Sequence, residues 1–368
     1  MMRILHVVTL ISEDGAYGGP ARVALNQADA LAELGHRVTV VAAGSRPQPT
    51  AGAVDIQLFR PRTLVPRTGF AGLAAPGMLR WIAQHSGSFD VAHIHLARDL
   101  VTLPAAGLCR YRGLPIVVQT HGMVDASEQL LAIPIDAIAT RPILRRAETV
   151  FYLTERERSD LVGVAGPDLQ LAELVNGVPR LSEKCVGPDL EVLFMARLHP
   201  RKRAGLFVDM AEQLVREHET ATFVLVGPDA GAGSAIARRT GPRIRWDGPC
   251  TPELTAERMR AAEIYVLPSV DEPYPMSVLE AMAVGLPVVV TESCGLATDI
   301  ARIGCGIVVP SDALEPLIEA VRLLLHDSNL RVDMGRRGRD AARSEFGTEA
   351  VARRLYEQYQ DAVQRVST

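Results

Sequence analysis

Short runs of β-branched and aliphatic residues alternate with amphipathic segments twice along this chain, and few folds satisfy that pattern. The first series opens with Ile4–Leu10, a loop through Gly18-Gly19-Pro20 and a helix to Leu34. Pro20 suits a first helical turn, where its missing N–H is not needed, and Gly35 suits the position just past a helix end. Val38–Ala42 follows as an unbroken apolar run, the pattern of a parallel strand covered on both faces. Val91–Ile94 and Ile116–Gln119 read as further strands. The second series begins at Val192–Ala196, passes through Arg201-Lys202-Arg203, and enters a helix with Leu206, Phe207, Met210, Leu214 and Val215 on one face. Thr222–Val226, Ile264–Leu267 and Val288–Thr291 continue it as strands. Alternation of this kind predicts an α/β fold with parallel sheets, whose ligand-binding loops lie at the carboxyl ends of the strands.

The length of 368 residues suits two such domains rather than one core. A stretch around 163–188, rich in Gly, Pro and polar residues, reads as the linker, and Thr348–Val366 as a final helix capped by Thr348. Five scattered cysteines with no C-x-x-C argue against a disulfide framework or structural zinc and predict a reducing, cytoplasmic setting. The apolar start lacks a small-residue cleavage site and contains His6, so it does not read as a leader, and no run approaches a membrane span. A formal net charge of -4 excludes a nucleic-acid binder driven by electrostatics. Local basic clusters remain at Arg60, Arg62, Arg67 and at Arg141, Arg145, Arg146. The second has helical spacing beside Ile138, Ile143 and Leu144, a face able to make peripheral contact with an anionic membrane.

The chemistry concentrates in a few places. Only two of the 39 basic residues are lysines, Lys184 and Lys202. Lys202 follows a predicted strand, and a compact mobile ammonium there suits a phosphate that gains charge, while Arg197 supplies a planar fork. A solvated basic turn is the plain alternative. Glu272 lies on a loop between Asp271 and Pro273, ahead of a helix starting at Pro275 or Ser277. That helix would leave the amides of Met276, Ser277 and Val278 free for an anion. Glu280 either accepts bonds from sugar hydroxyls or completes a capping box with Ser277. Gly18-Gly19 permits close approach of a phosphate or makes a plain turn. No G-x-G-x-x-G or G-x-x-x-x-G-K-[ST] occurs. His93 and His95 share one strand face without a third metal ligand at ordered spacing, and His121 ends a strand before Gly122.

Together these residues resemble glycosyltransferase family 4, the retaining enzymes of GT-B fold. The resemblance rests on Gly18-Gly19, Thr120-His121-Gly122, Asn176-Gly177-Val178, Arg197 with Lys202, Val226-Gly227, Glu272-x7-Glu280 and the Gly285-Leu286-Pro287-Val288-Val289 turn. It implies two Rossmann-like domains facing each other across a cleft: residues 1–175 on the acceptor side, with a helix at about 348–368 packing back, and 176–347 binding the nucleotide sugar. Arg197 and Lys202 would then clamp the diphosphate, with Glu272 and His121 at the sugar. Gly18, Gly19, Gly227, Met276, Ser277, Val278 and Glu280 would bind the donor, Glu280 through the ribose. The donor would be a UDP- or GDP-linked hexose and the acceptor a sugar, lipid-linked or small-molecule hydroxyl, with no cofactor and no metal. The setting implied is bacterial glycan, glycolipid or exopolysaccharide assembly. Pro275, Pro179 and the Cys294–Asp299 loop depart from the family pattern, the last beside the donor sugar. A nucleotide-sugar epimerase of the same fold is the alternative.

Overall fold

The computed structural model describes residues 1–11, 18–45, 54–66, 68–125, 132–184, 190–217 and 220–367; Arg67 and Cys185 lie outside them. The chain forms two compact units, Met1–Gly177 with Thr348–Thr368, and Val178–Gly347.

In the first unit, strands β1 (Arg3–Leu10), β2 (Arg37–Ala43) and β3 (Asp55–Phe59) precede a small antiparallel pair, β4 (Arg62–Thr63) with β5 (Leu73–Ala74). Then come β6 (Val91–His95), β7 (Ile116–Gln119), β8 (Thr149–Tyr152) and β9 (Leu171–Glu173). They make a seven-stranded parallel sheet in the order β3-β2-β1-β6-β7-β8-β9. Helices α1 (Gly18–Glu33), α2 (Pro76–His85), α3 (Thr102–Tyr111), α4 (Ala132–Ile135), α5 (Arg141–Arg145) and α6 (Glu155–Ala165) connect them. Gly163, expected in a linker, lies inside α6, and β9 follows, so this stretch belongs to the unit's own sheet.

The second unit sets β10 (Glu191–Met195), β11 (Thr222–Val226), β12 (Ile244–Trp246), β13 (Ile264–Leu267), β14 (Val288–Thr291) and β15 (Gly306–Val309) in the order β12-β11-β10-β13-β14-β15. All pairs are parallel. Its helices are α7 (Ala204–Arg216), α8 (Gly233–Ala237), α9 (Pro252–Arg260), α10 (Met276–Val284), α11 (Ala297–Ile303), α12 (Leu314–His326) and α13 (Ser328–Ser344). β10, β13 and β14 are buried on both faces apart from Glu191, which explains their unbroken apolar sequences. The chain then returns to the first unit as α14 (Thr348–Ser367), which packs on α1. Val351, Ala352, Leu355, Tyr359 and Ala362 form its buried stripe at helical spacing.

Each sheet reverses its winding once, between β1 and β6 and between β10 and β13. Loops leaving the carboxyl ends of these neighbours must diverge, and the crevice so made is where doubly wound sheets bind ligands.

Candidate functional site

In the second unit the loops after β10 and β13 bring two of the expected residues together. Residues Pro200–Lys202 form one 3₁₀ turn, begun by His199, whose ring accepts from the Arg201 amide at 3.2 Å. Arg203 then adopts a left-handed conformation (φ 53°) ahead of α7. This reversal presents Lys202 to the loop after β13, where its Nζ donates to Glu272 Oε2. Arg201 approaches the same oxygen at 3.6 Å, and the Val270 amide donates to the Arg201 carbonyl at 2.9 Å. Glu272 is buried, and its backbone carbonyl accepts from the Gly295 amide at 2.8 Å, tying in the Cys294 loop. Burial pushes the Cys294 thiol up to about 12, so it is no thiolate at neutral pH. Arg197 is exposed past the end of β10 and has no side-chain partner among the described residues.

Helix α10 begins at Met276 with Pro275 as its N-cap and no side-chain cap. Ser277 is therefore the second helical residue, and the capping box with Glu280, one of the two readings of that residue, is not formed. Its hydroxyl instead lies 2.8 Å from Tyr265 Oη, which also reaches the Met195 carbonyl at 3.0 Å. Tyr265, overlooked in the sequence because it reads as one more strand residue, thus pins the end of β10 to the start of α10. Of the three amides expected to be free, Val278 donates to the Pro275 carbonyl at 3.1 Å. Met276 and Ser277 keep the unfilled amides of a helix start. Glu280 sits at the fifth position of α10, beyond the first turn, and is buried. At Gly227 (φ 147°) a Cβ would lie 2.0 Å from the Ala196 carbonyl oxygen, so the close passage of two backbones alone requires glycine there.

In the first unit Gly18 and Gly19 belong to the opening turn of α1 rather than to a loop before it. A Cβ on Gly19 would meet nothing within 4 Å among the described residues. His121 follows β7 in a left-handed conformation (φ 53°), with Gly122 the same (φ 71°). Buried Glu157 on α6 fixes this turn: it accepts from Thr120 Oγ1 at 2.5 Å, the Gly122 amide at 2.6 Å and the Leu153 amide at 2.7 Å. Its spacing within Thr154-Glu-Arg-Glu157 gave no hint of that reach. His121 Nε2 lies 2.8 Å from His95 Nδ1, while its Nδ1 is buried with no protein partner among the described residues.

His6, absent from the sequence expectation for His93 and His95, joins them because β1 pairs with β6 in register, His6 opposite His93. One nitrogen from each lies within 4.8 Å of the others. The rings of His93 and His95 stack, however, with centroids 4.4 Å apart and planes at 19°. In-plane lone pairs of near-parallel rings do not converge on a point about 2.0–2.1 Å from each nitrogen, as a bound zinc requires. Burial pushes His6 and His121 down to about 3 and holds His93 and His95 well below the usual imidazole range.

The Arg141–Arg146 cluster is largely committed inside the unit. Arg141 Nε donates to the Val164 carbonyl at 2.8 Å and Arg145 Nε to that of Ala165 at 2.5 Å, closing the end of α6. All three are exposed, and Arg146, which has no side-chain partner among the described residues, lies beside exposed Ile138 and Tyr111. No helix among the described residues is long and apolar enough to cross a membrane.

Comparison with known proteins places these loops in context. Residues 18–177 match the model of a glycosyl transferase 4-like domain, and residues 183–341 that of glycosyl transferases group 1. A D-inositol 3-phosphate glycosyltransferase 2 from Catenulispora acidiphila is 28% identical over 78% of this chain and 74% of its own length. A D-inositol 3-phosphate glycosyltransferase from Corynebacterium aurimucosum is 26% identical over 95% and 92%. Among solved structures, Anabaena HepE in complex with UDP and glucose superposes with a TM-score of 0.76 at 17% identity, covering 98% of this chain and all of that one. Sucrose-phosphate synthase from Thermosynechococcus elongatus does so with 0.76 at 19%, covering 99% and 100%. Matched in both halves and built from two doubly wound parallel units, this chain belongs to the group 1, family 4-like glycosyltransferases of GT-B fold.

Proposed function

We propose that this glycosyltransferase moves a hexose-type sugar from a UDP- or GDP-linked donor to an acceptor hydroxyl, with retention of configuration and without a metal. The observation that carries this reading is the Lys202–Glu272 pair at the switch point of the second sheet, on the loop that leads into the bare start of α10. As the glycosidic bond to the diphosphate breaks, both electrons of that bond leave with the phosphate oxygen. Arg197, Lys202 and the amides of Met276 and Ser277 supply positive charge for it without a bound cation. Glu272, relieved of part of its ion pair as Lys202 turns to the phosphate, serves the electron-poor sugar. The acceptor oxygen then bonds to the anomeric carbon from the same face, and its proton passes to the departing phosphate oxygen. Glu280 binds the ribose, and Gly227 gives the close backbone passage beside it. In the first unit, Gly18, Gly19 and His121 serve the diphosphate and the sugar.

The curated relatives are named for D-inositol 3-phosphate, which favours a small polyol or sugar acceptor over a lipid-linked one and makes that compound the first to try. Assembly of a bacterial glycan or glycoconjugate is the setting proposed, on the cytoplasmic side. Exposed Tyr111 and Ile138 with Arg146 would give the first unit its peripheral membrane contact, which flotation with anionic liposomes tests.

Transfer is tested with UDP-glucose, UDP-N-acetylglucosamine and GDP-mannose against an acceptor panel, with and without EDTA, and the product anomer is read by NMR. An α-linked product at undiminished rate in EDTA is expected from these α-linked donors. A β-linked product overturns retention, and loss in EDTA restored by Mg²⁺ overturns metal independence. Consumption of donor to an epimer with no acceptor present would establish the epimerase instead.

A further inference from the structure

One hydrogen-bonded column runs from His121 through the core of the first unit to the last helix. His121 Nε2 meets His95 Nδ1 at 2.8 Å, and His95 Nε2 meets His6 Nδ1 at 3.1 Å. His6 Nε2 lies 3.3 Å from Tyr359 Oη, and Tyr359 Oη lies 2.7 Å from His93 Nδ1. The contacts among His95, His6, Tyr359 and His93 are buried and the one to His121 partly so, and burial keeps the four imidazoles neutral. A neutral imidazole has one N–H and one lone pair, and a phenol has a single proton to give.

Each internal contact needs one proton and one lone pair, and the phenol must give its own proton to His93 or to His6, since a phenol accepting from both would bury an unused O–H. That leaves two ways to fill the column, in which fixing any proton fixes the rest. If Tyr359 donates to His93, all four rings carry their proton on Nε2, and His121 presents a lone pair at Nδ1, while the Nε2–H of His93 has no partner among the described residues. If Tyr359 donates to His6, all four carry it on Nδ1, and His121 presents an N–H. The distances choose between them. At 2.7 Å the His93 contact has the length of an O–H donor to nitrogen, whereas the 3.3 Å contact suits a weaker N–H donor from His6 to the phenol oxygen. The first arrangement also places every ring in the tautomer that free imidazole side chains favour.

We propose that Tyr359, by donating to His93, locks this column with its protons on Nε2 and so makes Nδ1 of His121 a hydrogen-bond acceptor for a substrate hydroxyl. Tyr359 is then a positioning residue: it touches no substrate and acts through His6 and His95 on a ring whose other nitrogen has no partner among the described residues. A fixed acceptor favours a ligand with a hydroxyl at that point over one with only an ether or carbonyl oxygen. The hydroxyl as ligand rests on the transferase reading, whereas the polarity of the column does not.

Long-range ¹⁵N–¹H correlation of the imidazoles in the full-length protein reads each tautomer directly. In the wild type, His6, His93, His95 and His121 are expected to show protonated Nε2 and unprotonated Nδ1. His93→Phe removes the acceptor of the Tyr359 hydroxyl, which turns to His6 and shifts the proton to Nδ1 in His6, His95 and His121. Tyr359→Phe removes the lock and gives mixed tautomers. The inversion in His93→Phe should lower kcat/KM of transfer about tenfold, the worth of one hydrogen bond. A wild-type His121 protonated on Nδ1 overturns the proposal, as does an unchanged column in both variants. Should either variant fail to fold, the wild-type spectrum and the other variant decide. Expected spectra with unaltered transfer in His93→Phe overturn the role toward substrate. Wild-type protein that transfers no sugar defeats the transferase reading and leaves the spectra to decide the column.

Discussion

Lys202 donates to Glu272 across the point where the second sheet reverses its winding, so the mobile cation of one loop is held by the carboxylate of the other. Both side chains are mostly shielded, 17% and 9% exposed, and neither can be removed without consequence for its partner. Lys202→Ala is expected to lower kcat by roughly 10²–10³-fold, the effect of losing one donor to developing charge. It also leaves Glu272 to Arg201 alone, with a stability loss of about 1–3 kcal/mol. The double variant Lys202→Ala, Glu272→Gln should recover most of that stability and none of the rate. Steady-state kinetics with urea unfolding separate the two effects. Rate recovery in the double variant would reduce Lys202 to a structural partner.

With the capping box unformed, Glu280→Gln has no helix-cap role to disturb. It is expected to weaken nucleoside diphosphate binding about tenfold, as for loss of a charged acceptor to the ribose. The melting temperature without ligand should move by less than about 3 °C. Calorimetric titration with UDP and GDP measures the first, and unchanged affinity for both would remove Glu280 from the ribose.

Two glycines separate ligand space from protein space. Gly227→Ala forces a Cβ against the Ala196 carbonyl at a φ of 147° and should cost about 2–4 kcal/mol of stability. Gly19→Ala meets no atom of the described residues within 4 Å and should fold normally, yet lose donor affinity if a phosphate approaches that backbone. Full donor affinity in a folded Gly19→Ala protein would argue against that approach.

Acid should weaken the first unit through its buried histidines. Folding lowers the pKa of His6 and His121 from 6.5 to about 3, and those of His93 and His95 well below 6.5. Between those values the unfolded chain binds protons that the folded chain refuses. Stability is therefore fully present above about pH 6.5 and falls as pH drops toward 3, by at most about 1.4 kcal/mol per histidine per pH unit. Urea unfolding at pH 7.5 and 5.5 measures the difference. Removing one histidine, as in His95→Phe, should flatten the slope even where it lowers stability overall.

The interior strands were legible because burial on both faces leaves a strong mark: Ile116–Gln119, Thr222–Val226, Ile264–Leu267 and Val288–Thr291 occur as read. The edges were not. Asp55–Phe59 and Ile244–Trp246 mix polar and apolar residues because a sheet edge needs less cover. Thr149–Tyr152 is interior, but only Val150 and Phe151 are fully apolar between a threonine and a tyrosine, so no apolar run marks it. At the site, residue types pointed to Lys202 and Glu272 separately, while their contact depends on which strands lie side by side. The period of two put His93 and His95 on one face. Their remaining partners, His6 and Tyr359, come from a paired strand and from the last helix, which no local pattern connects.

The return of α14 to the first unit also orders events during synthesis. Residues 178–347 are all synthesised before residue 348 is added. Throughout that interval the first unit lacks the helix that fills its core with Leu355 and Tyr359, and the groove awaiting them faces water. A nascent chain of this design therefore holds every residue of its later-translated unit before its earlier unit has its last helix. Stop codons or ribosomal stalling within codons 348–367 would injure the half that was translated earliest, and chaperone demand should peak there.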